Sequence, residues 1–280
     1  MKILIIQEAS RHKEDIDYRE SLSLSRAFKA HNWDVTVWGL NQPTWGGKIN
    51  FNNYDYIFNL ENYGDNWLPD LSNITKPYKI LWSIDAHFRG EQPYEYIFNQ
   101  GKYNLLLHST KDYATKKHTA WFPNAFCDKK IVNLNLPTKY ELGFVGNHAN
   151  RKPLLDYLTT NFNLEQFIGT RGDEMVRVIN ELKIHFNKNI SNDINYRSFE
   201  TIGCGTLLLT NYNSQYSELG FKDMENVVFY DDINSLHEKI KLLQTDEKQL
   251  ASISEQGYLL SKKHTYTKRV GSLIKFLQSC

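Results

Sequence analysis

Cysteine is scarce in this chain. Cys127, Cys204 and Cys280 are the only three, far apart, with no Cys-x-x-Cys pair and no Cys/His ligand spacing. That excludes the usual structural zinc site and a disulfide framework, and an odd count suits a reducing compartment, so the expected location is cytoplasmic. An excess of one charge is also lacking: 33 Lys and Arg stand against 32 Asp and Glu, for a net charge of +1. A dedicated nucleic-acid binder carries a clear basic excess. The clusters Lys116-Lys117-His118, Lys129-Lys130 and Lys262-Lys263-His264 therefore read first as solvated surface, with a basic acceptor groove as the alternative. No apolar run approaches the length of a membrane span, and none qualifies the opening MKILIIQEAS as a signal peptide; it reads as a first strand. Internal repeats and low-complexity tracts are missing too.

What is present is apolar and periodic. Hydrophobic residues make up 41% of 280, aromatics 14%, which is enough for two cores. Continuous apolar runs at 2–7, 34–40, 54–60, 78–84, 103–108 and 119–122 predict strands buried on both faces, with helices at 19–31, 95–99 and 111–117 between some of them. A connector at 132–137 follows, and the pattern restarts. Strands are predicted at 140–145, 164–168, 184–187, 206–210 and 227–230, and helices at 152–159, 173–180, 195–202, 235–243, 248–261 and 266–278. The fold class is α/β, with two Rossmann-like, doubly wound domains. The expected division is 1–134, 135–265, and a terminal helix in 266–280 that packs back toward the first domain. Such halves face each other across a cleft and bind ligands at the carboxyl ends of their strands.

The most specific stretch is Arg197-Ser-Phe-Glu-Thr-Ile-Gly-Cys-Gly205, followed by the apolar run Thr206–Thr210. It reads as a helix, a glycine turn and a buried strand. Arg197 and Glu200, three apart, share a helix face, so the plain alternative is a surface ion pair. Gly203 and Gly205 around Cys204 suggest close backbone approach, and Glu200 is a carboxylate suited to sugar hydroxyls. Gly146-Asn147-His-Ala-Asn-Arg151-Lys152 joins a strand to a helix start, where backbone N–H groups and two basic side chains suit a diphosphate. Asn187 ends the strand before the Arg197 helix. In the first domain, Asp85 and His87 in Trp82-Ser-Ile-Asp-Ala-His lie just past a strand, the edge where reacting groups are expected, and Glu61 and Asn62 occupy the same end of the preceding strand. No Asp-x-Asp lies in a suitable loop; Asp231-Asp232 reads as a helix start, and no metal site is expected.

Together these residues resemble the CgeB-like, or spore-maturation-protein-like, branch of the group 1 glycosyltransferases. The marks are Trp82–His87, Phe122-Pro-Asn124, Phe144-Val-Gly-Asn147 with Arg151, Asn187, Arg197-x-Phe-Glu200, Gly203-Cys-Gly205, and His264-Thr-Tyr with Arg269. They come in the family's order and cover residues from about 80 to 270. The resemblance implies a GT-B fold and a nucleotide-diphosphate sugar donor (UDP-, GDP- or similar) held mainly by the C-terminal domain, with no further cofactor. It implies that Glu200 binds the ribose hydroxyls, that Gly146, Arg151 and the Gly203–Gly205 turn sit near the diphosphate, and that Arg197 supports the pocket. Related families place a second glutamate two helical turns earlier; here that position is Asn192.

The expected activity is therefore metal-independent hexosyl or pentosyl transfer with retention of configuration. Asp85 or His87 would orient the acceptor hydroxyl or take its proton. The acceptor is a glycan, a small molecule or a modified DNA base, the balanced charge leaning against nucleic acid. The alternatives are a nucleotide-sugar epimerase or hydrolase on the same fold, and a non-catalytic nucleotide-sugar-binding protein.

Overall fold

The computed structural model describes residues 1–62, 64 and 66–279; Cys280, the last residue of the expected terminal segment, lies outside them. The chain forms two compact units, residues 1–124 with 266–280, and residues 125–265.

The first unit is built on β1 (Lys2–Ile6), α1 (Glu20–Ala30), β2 (Asp34–Trp38), β3 (Tyr56–Leu60), β4 (Tyr78–Ser83), α2 (Ala86–Arg89), α3 (Gln92–Gln100), β5 (Leu105–His108) and β6 (Thr119–Trp121). All strand pairs are parallel, in the order β2-β1-β3-β4-β5-β6. Ile3–Ile6 are wholly buried, as a strand covered on both faces must be. The expected helix at 111–117 shrinks to a single 3-10 turn, Lys111–Tyr113. Past it, Thr119 Oγ1 accepts from Lys116 N and donates to Lys116 O, closing a tight turn where a helix would continue.

The second unit carries β7 (Tyr140–Gly146), α4 (Lys152–Phe162), β8 (Glu165–Ile168), α5 (Gly172–Glu181), β9 (Leu182–Phe186), α6 (Tyr196–Gly203), β10 (Leu207–Asn211), α7 (Ser214–Glu218), β11 (Val228–Tyr230), α8 (Ile233–Thr245) and α9 (Glu247–Ser261). Its parallel sheet runs β11-β10-β9-β7-β8. Phe144, Phe186, Leu207 and Leu209 fill the space between sheet and helices. Asp232 starts α8 with a capping box to Ser235. The final helix, α10 (Tyr266–Ser279), belongs to the first unit. It lies against α1, and His31 Nε2 is 3.0 Å from the Thr267 carbonyl.

The boundary read as 134/135 falls at 124/125 instead. The connector is tied to the second unit by its own contacts. Phe126 N donates to the His264 carbonyl, and Asn180 Nδ2 donates to the Val132 carbonyl.

Both sheets share one topological feature. From β1 the chain goes to β2 on one side and returns to β3 on the other; from β7 it goes to β8 and returns to β9. At the carboxyl ends of β1/β3 and β7/β9 the connections diverge and leave a crevice, where ligands of doubly wound sheets bind.

Candidate active site

Two arginines converge on the β7/β9 crevice. The loop after β7 is exposed from Asn147 to Asn150, with Ala149 in the left-handed region at φ +36°. Arg151, just before α4, turns back across the crevice. Its Nε donates to the Lys188 carbonyl (2.8 Å) and its Nη1 to the Asn147 carbonyl (3.3 Å), so one guanidinium ties the loop after β7 to the loop after β9. Burial pulls the Arg151 pKa down, opposed by the charge of Asp193; Arg197 lowers it further. The group remains a cation, as arginine does in proteins. Asp193, 5% exposed, immediately follows the Asn192 position.

Arg197 sits in the first turn of α6. Its Nε donates to the Val145 carbonyl (3.1 Å), and its Nη1 pairs with Glu200 one turn along. The side chains of Arg197 and Glu200 are 25% and 14% exposed, so this is a largely buried pair and not the surface pair of the plain alternative. A histidine holds it in place. His185, wholly buried in β9, accepts from Val145 N at Nε2 (3.2 Å), which puts the ring proton on Nδ1, facing Thr201 Oγ1 at 2.5 Å. Thr201 Oγ1 in turn donates to the Arg197 carbonyl. The backbone N–H and C=O of Val145 thus close a ring of hydrogen bonds that fixes α6 against β7. Sequence reasoning passed over His185; its only signal is one imidazole inside the apolar run Leu182-Lys-Ile-His-Phe186.

Burial, with the nearby Arg197 charge, lowers the His185 pKa to about 3. A buried neutral imidazole binds its proton more weakly than in the unfolded chain, so its contribution is fully present above the unfolded value. It falls away as the pH drops from about 6.5 toward 3. Urea titrations at pH 7 and pH 4 are expected to show the loss, and His185→Asn to be less stable at pH 7 yet lose less between the two.

Several predicted donor-site residues have other partners. Asn187 is buried: its Nδ2 donates to Ser198 Oγ and Thr210 Oγ1, and its Oδ1 accepts from Asn195 Nδ2. With Asn189 and Tyr216 these groups form a polar network that sets the N-terminus of α6. Lys152 pairs with Asp156 on the exposed side of α4. The Gly203–Gly205 turn lies at the far end of α6 from Arg197. It closes α6 and precedes β10, which puts it at the amino end of the sheet, roughly 10 Å along the helix from the crevice. The close approach that demands glycine is made by the connector. A Cβ on Gly203 would lie 2.8 Å from the Phe126 ring, and one on Gly205, at φ +82°, 2.5 Å from Asn133 Nδ2. Cys204 is buried, and burial pushes its thiol pKa upward, leaving it inert. Gly146 and Asn147 do lie at the crevice, at the end of β7 and in the loop after it.

In the first unit, Asp85 and His87 sit just beyond β4, Asp85 as the residue before α2 and His87 within it. Glu61 and Asn62 point inward. Glu61 Oε2 accepts from both Ile84 N and Asp85 N (2.7 Å each), and Oε1 lies 3.3 Å from Arg89 Nε. Burial and the Asp85 charge raise the Glu61 pKa. This carboxylate therefore clamps the turn that carries Asp85 and His87. Asn62 ties β3 to β1, accepting from Glu8 N and donating to the Leu60 carbonyl. Among the described residues, no group of three His, Cys, Asp or Glu side chains is placed to hold a metal ion, and no helix is long and apolar enough to cross a membrane.

The model of a family described as glycosyl transferase-like matches residues 135–275, half of the chain. The chain belongs to this glycosyl transferase-like family. No curated protein matches it. Among solved structures, the transferase fold resembles HepE from Anabaena in complex with UDP and glucose (13% identity, 100% of both chains, TM-score 0.67). It resembles an α-glucosyltransferase in complex with UDP and mismatched DNA (11% identity, 99% of this chain and 100% of that one, TM-score 0.69). It also resembles the sucrose-phosphate synthase of Thermosynechococcus elongatus (12% identity, 99% of each, TM-score 0.64). At these identities the likeness concerns the fold, which is GT-B. The glycosyl transferase-like match covers the β7/β9 crevice, both arginines and Glu200.

Proposed function

We propose that the protein is a CgeB-like glycosyltransferase that moves a hexose or pentose from a nucleotide diphosphate sugar to an acceptor hydroxyl, in the cytoplasm and with retention. The observation that carries this is the convergence of Arg151 and Arg197 on the β7/β9 crevice, with Glu200 beside them. Transfer builds positive charge at the anomeric carbon and negative charge on the departing diphosphate. Two fixed guanidinium groups in a half-buried crevice meet that negative charge without reorganising, and they supply what a divalent cation supplies elsewhere. Glu200 accepts hydrogen bonds from the ribose hydroxyls. UDP in HepE and in the α-glucosyltransferase supports a uridine donor. Retention is the family resemblance's implication and is read directly from the anomeric signal of the product.

On the acceptor side, Asp85 and His87 orient the hydroxyl, and one of them takes its proton. The Glu61 clamp fixes the backbone that presents them. Asp85→Asn is expected to lower turnover about 100-fold while leaving donor affinity within a factor of two; full turnover in the variant removes Asp85 from the reaction. Because the arginines take the place of a metal, turnover is expected to persist in EDTA, and its abolition, with rescue by Mg²⁺ or Mn²⁺, refutes metal independence.

A further inference from the structure

The first unit contains a cavity that the donor chemistry does not use. It measures ≈ 220 Å³ and is lined by Glu61, Asn62, Arg89 and Tyr94 together with Leu68 and Ile97. A second cavity of ≈ 290 Å³ adjoins it, sharing Asn59, Leu68 and Ile97 and continuing to Asp70, Tyr96 and Gln100. Together they make a groove with two ring-sized compartments and a common apolar divider, in the size range of ligand sites.

Its charges are compensated. Glu61 faces Arg89 at 3.3 Å. Asp70 feels Lys79 and Lys102; the buried Lys79 ammonium donates to the Leu71 and Gly101 carbonyls, both from residues that line the second compartment. An anion site needs converging, unengaged cations, and the one arginine on the wall already faces a carboxylate. A polyol has what this groove offers partners for: C–H faces for Leu68 and Ile97, and hydroxyls for Glu61 and Asp70. The groove also touches the acceptor chemistry directly, because Glu61 both lines the first compartment and accepts from Asp85 N.

We propose that this groove binds the acceptor, and that the acceptor is an uncharged oligosaccharide with one sugar ring in each compartment. The inference rests on the glycosyltransferase reading for the word acceptor, but the binding site stands or falls on its own. The ring in the first compartment is the one whose hydroxyl is glycosylated, since its wall includes Glu61, the acceptor for Asp85 N, and the ring beyond Ile97 sets specificity.

Saturation-transfer NMR on the full chain tests this, with glucose, maltose, cellobiose and lactose as neutral probes and glucose 6-phosphate and a short single-stranded DNA as charged ones, each with and without UDP. At least one disaccharide is expected to bind, more tightly than glucose, and the charged probes are not. Leu68→Trp fills the divider, and Gln100→Trp narrows the second compartment from an exposed position that does not threaten folding. Both are expected to weaken disaccharide binding about tenfold or more while the thermal shift given by UDP is unchanged. The proposal is overturned if no disaccharide binds, if neither tryptophan weakens binding, or if DNA binds and the tryptophans displace it. Disaccharide binding that the tryptophans block, in a protein that UDP does not stabilise, upholds the groove and refutes the donor assignment instead.

Discussion

Glu200→Ala is expected to cost about 2 kcal/mol of donor binding, roughly thirty-fold in Kd. The carboxylate sits one turn into α6, largely buried against Arg197, with the ring of hydrogen bonds through Val145, His185 and Thr201 holding the helix start. Removing it takes away the acceptor for the ribose hydroxyls and also frees Arg197 from its partner. Both effects act on the bound donor. Glu200→Gln keeps the size and one acceptor oxygen but loses the charge, and it is expected to fall between wild type and Ala. Isothermal titration with a UDP-sugar gives the Kd, and a melt without ligand gives the stability. A pair that is merely structural shows the reverse result: a lowered Tm with donor affinity intact.

Arg151→Ala is expected to lower turnover by about 10²–10³, the usual cost of removing one preorganised group that stabilises developing negative charge. Arg151 spans the crevice from Asn147 to Lys188, so its loss removes charge and also unties the loops after β7 and β9. Arg151→Lys separates the two contributions. It retains the cation but not the planar fork, and it is expected to recover part of the rate at most. Initial rates with saturating donor and acceptor provide the measurement. Turnover of the alanine variant within a factor of two of wild type sinks the diphosphate role.

The strands were legible because each is a short apolar run with its own boundaries, and parallel sheets buried on both faces write themselves into sequence that way. Arg197 and Glu200 were legible because helical spacing puts them on one face. Their support was not. His185 looks like any core residue until β7 and β9 pair and bring Val145 N to its Nε2. The glycines were legible only in part, for a related reason. Gly203 and Gly205 do mark close approach, but sequence does not say to what, and the approaching groups are Phe126 and Asn133 of the connector. The edge Glu61 occupies was legible, but its clamp on the turn after β4 was not, because the groups it accepts from are backbone N–H groups, which every sequence has. Asn192 suggested that a second acid was missing near the donor; the buried carboxylate whose charge acts on Arg151 is Asp193, one residue on.

A β7/β9 crevice that holds a nucleotide diphosphate sugar becomes protected when the donor binds. Amide hydrogen exchange of the full chain tests it most directly, with and without saturating donor, after a thermal-shift screen of UDP- and GDP-sugars has picked the most stabilising one. Slowed exchange is expected in two segments, 146–152 and 187–201, with the Gly203–Gly205 turn unchanged. Protection confined to other segments, or no nucleotide sugar that stabilises the protein at all, contradicts it.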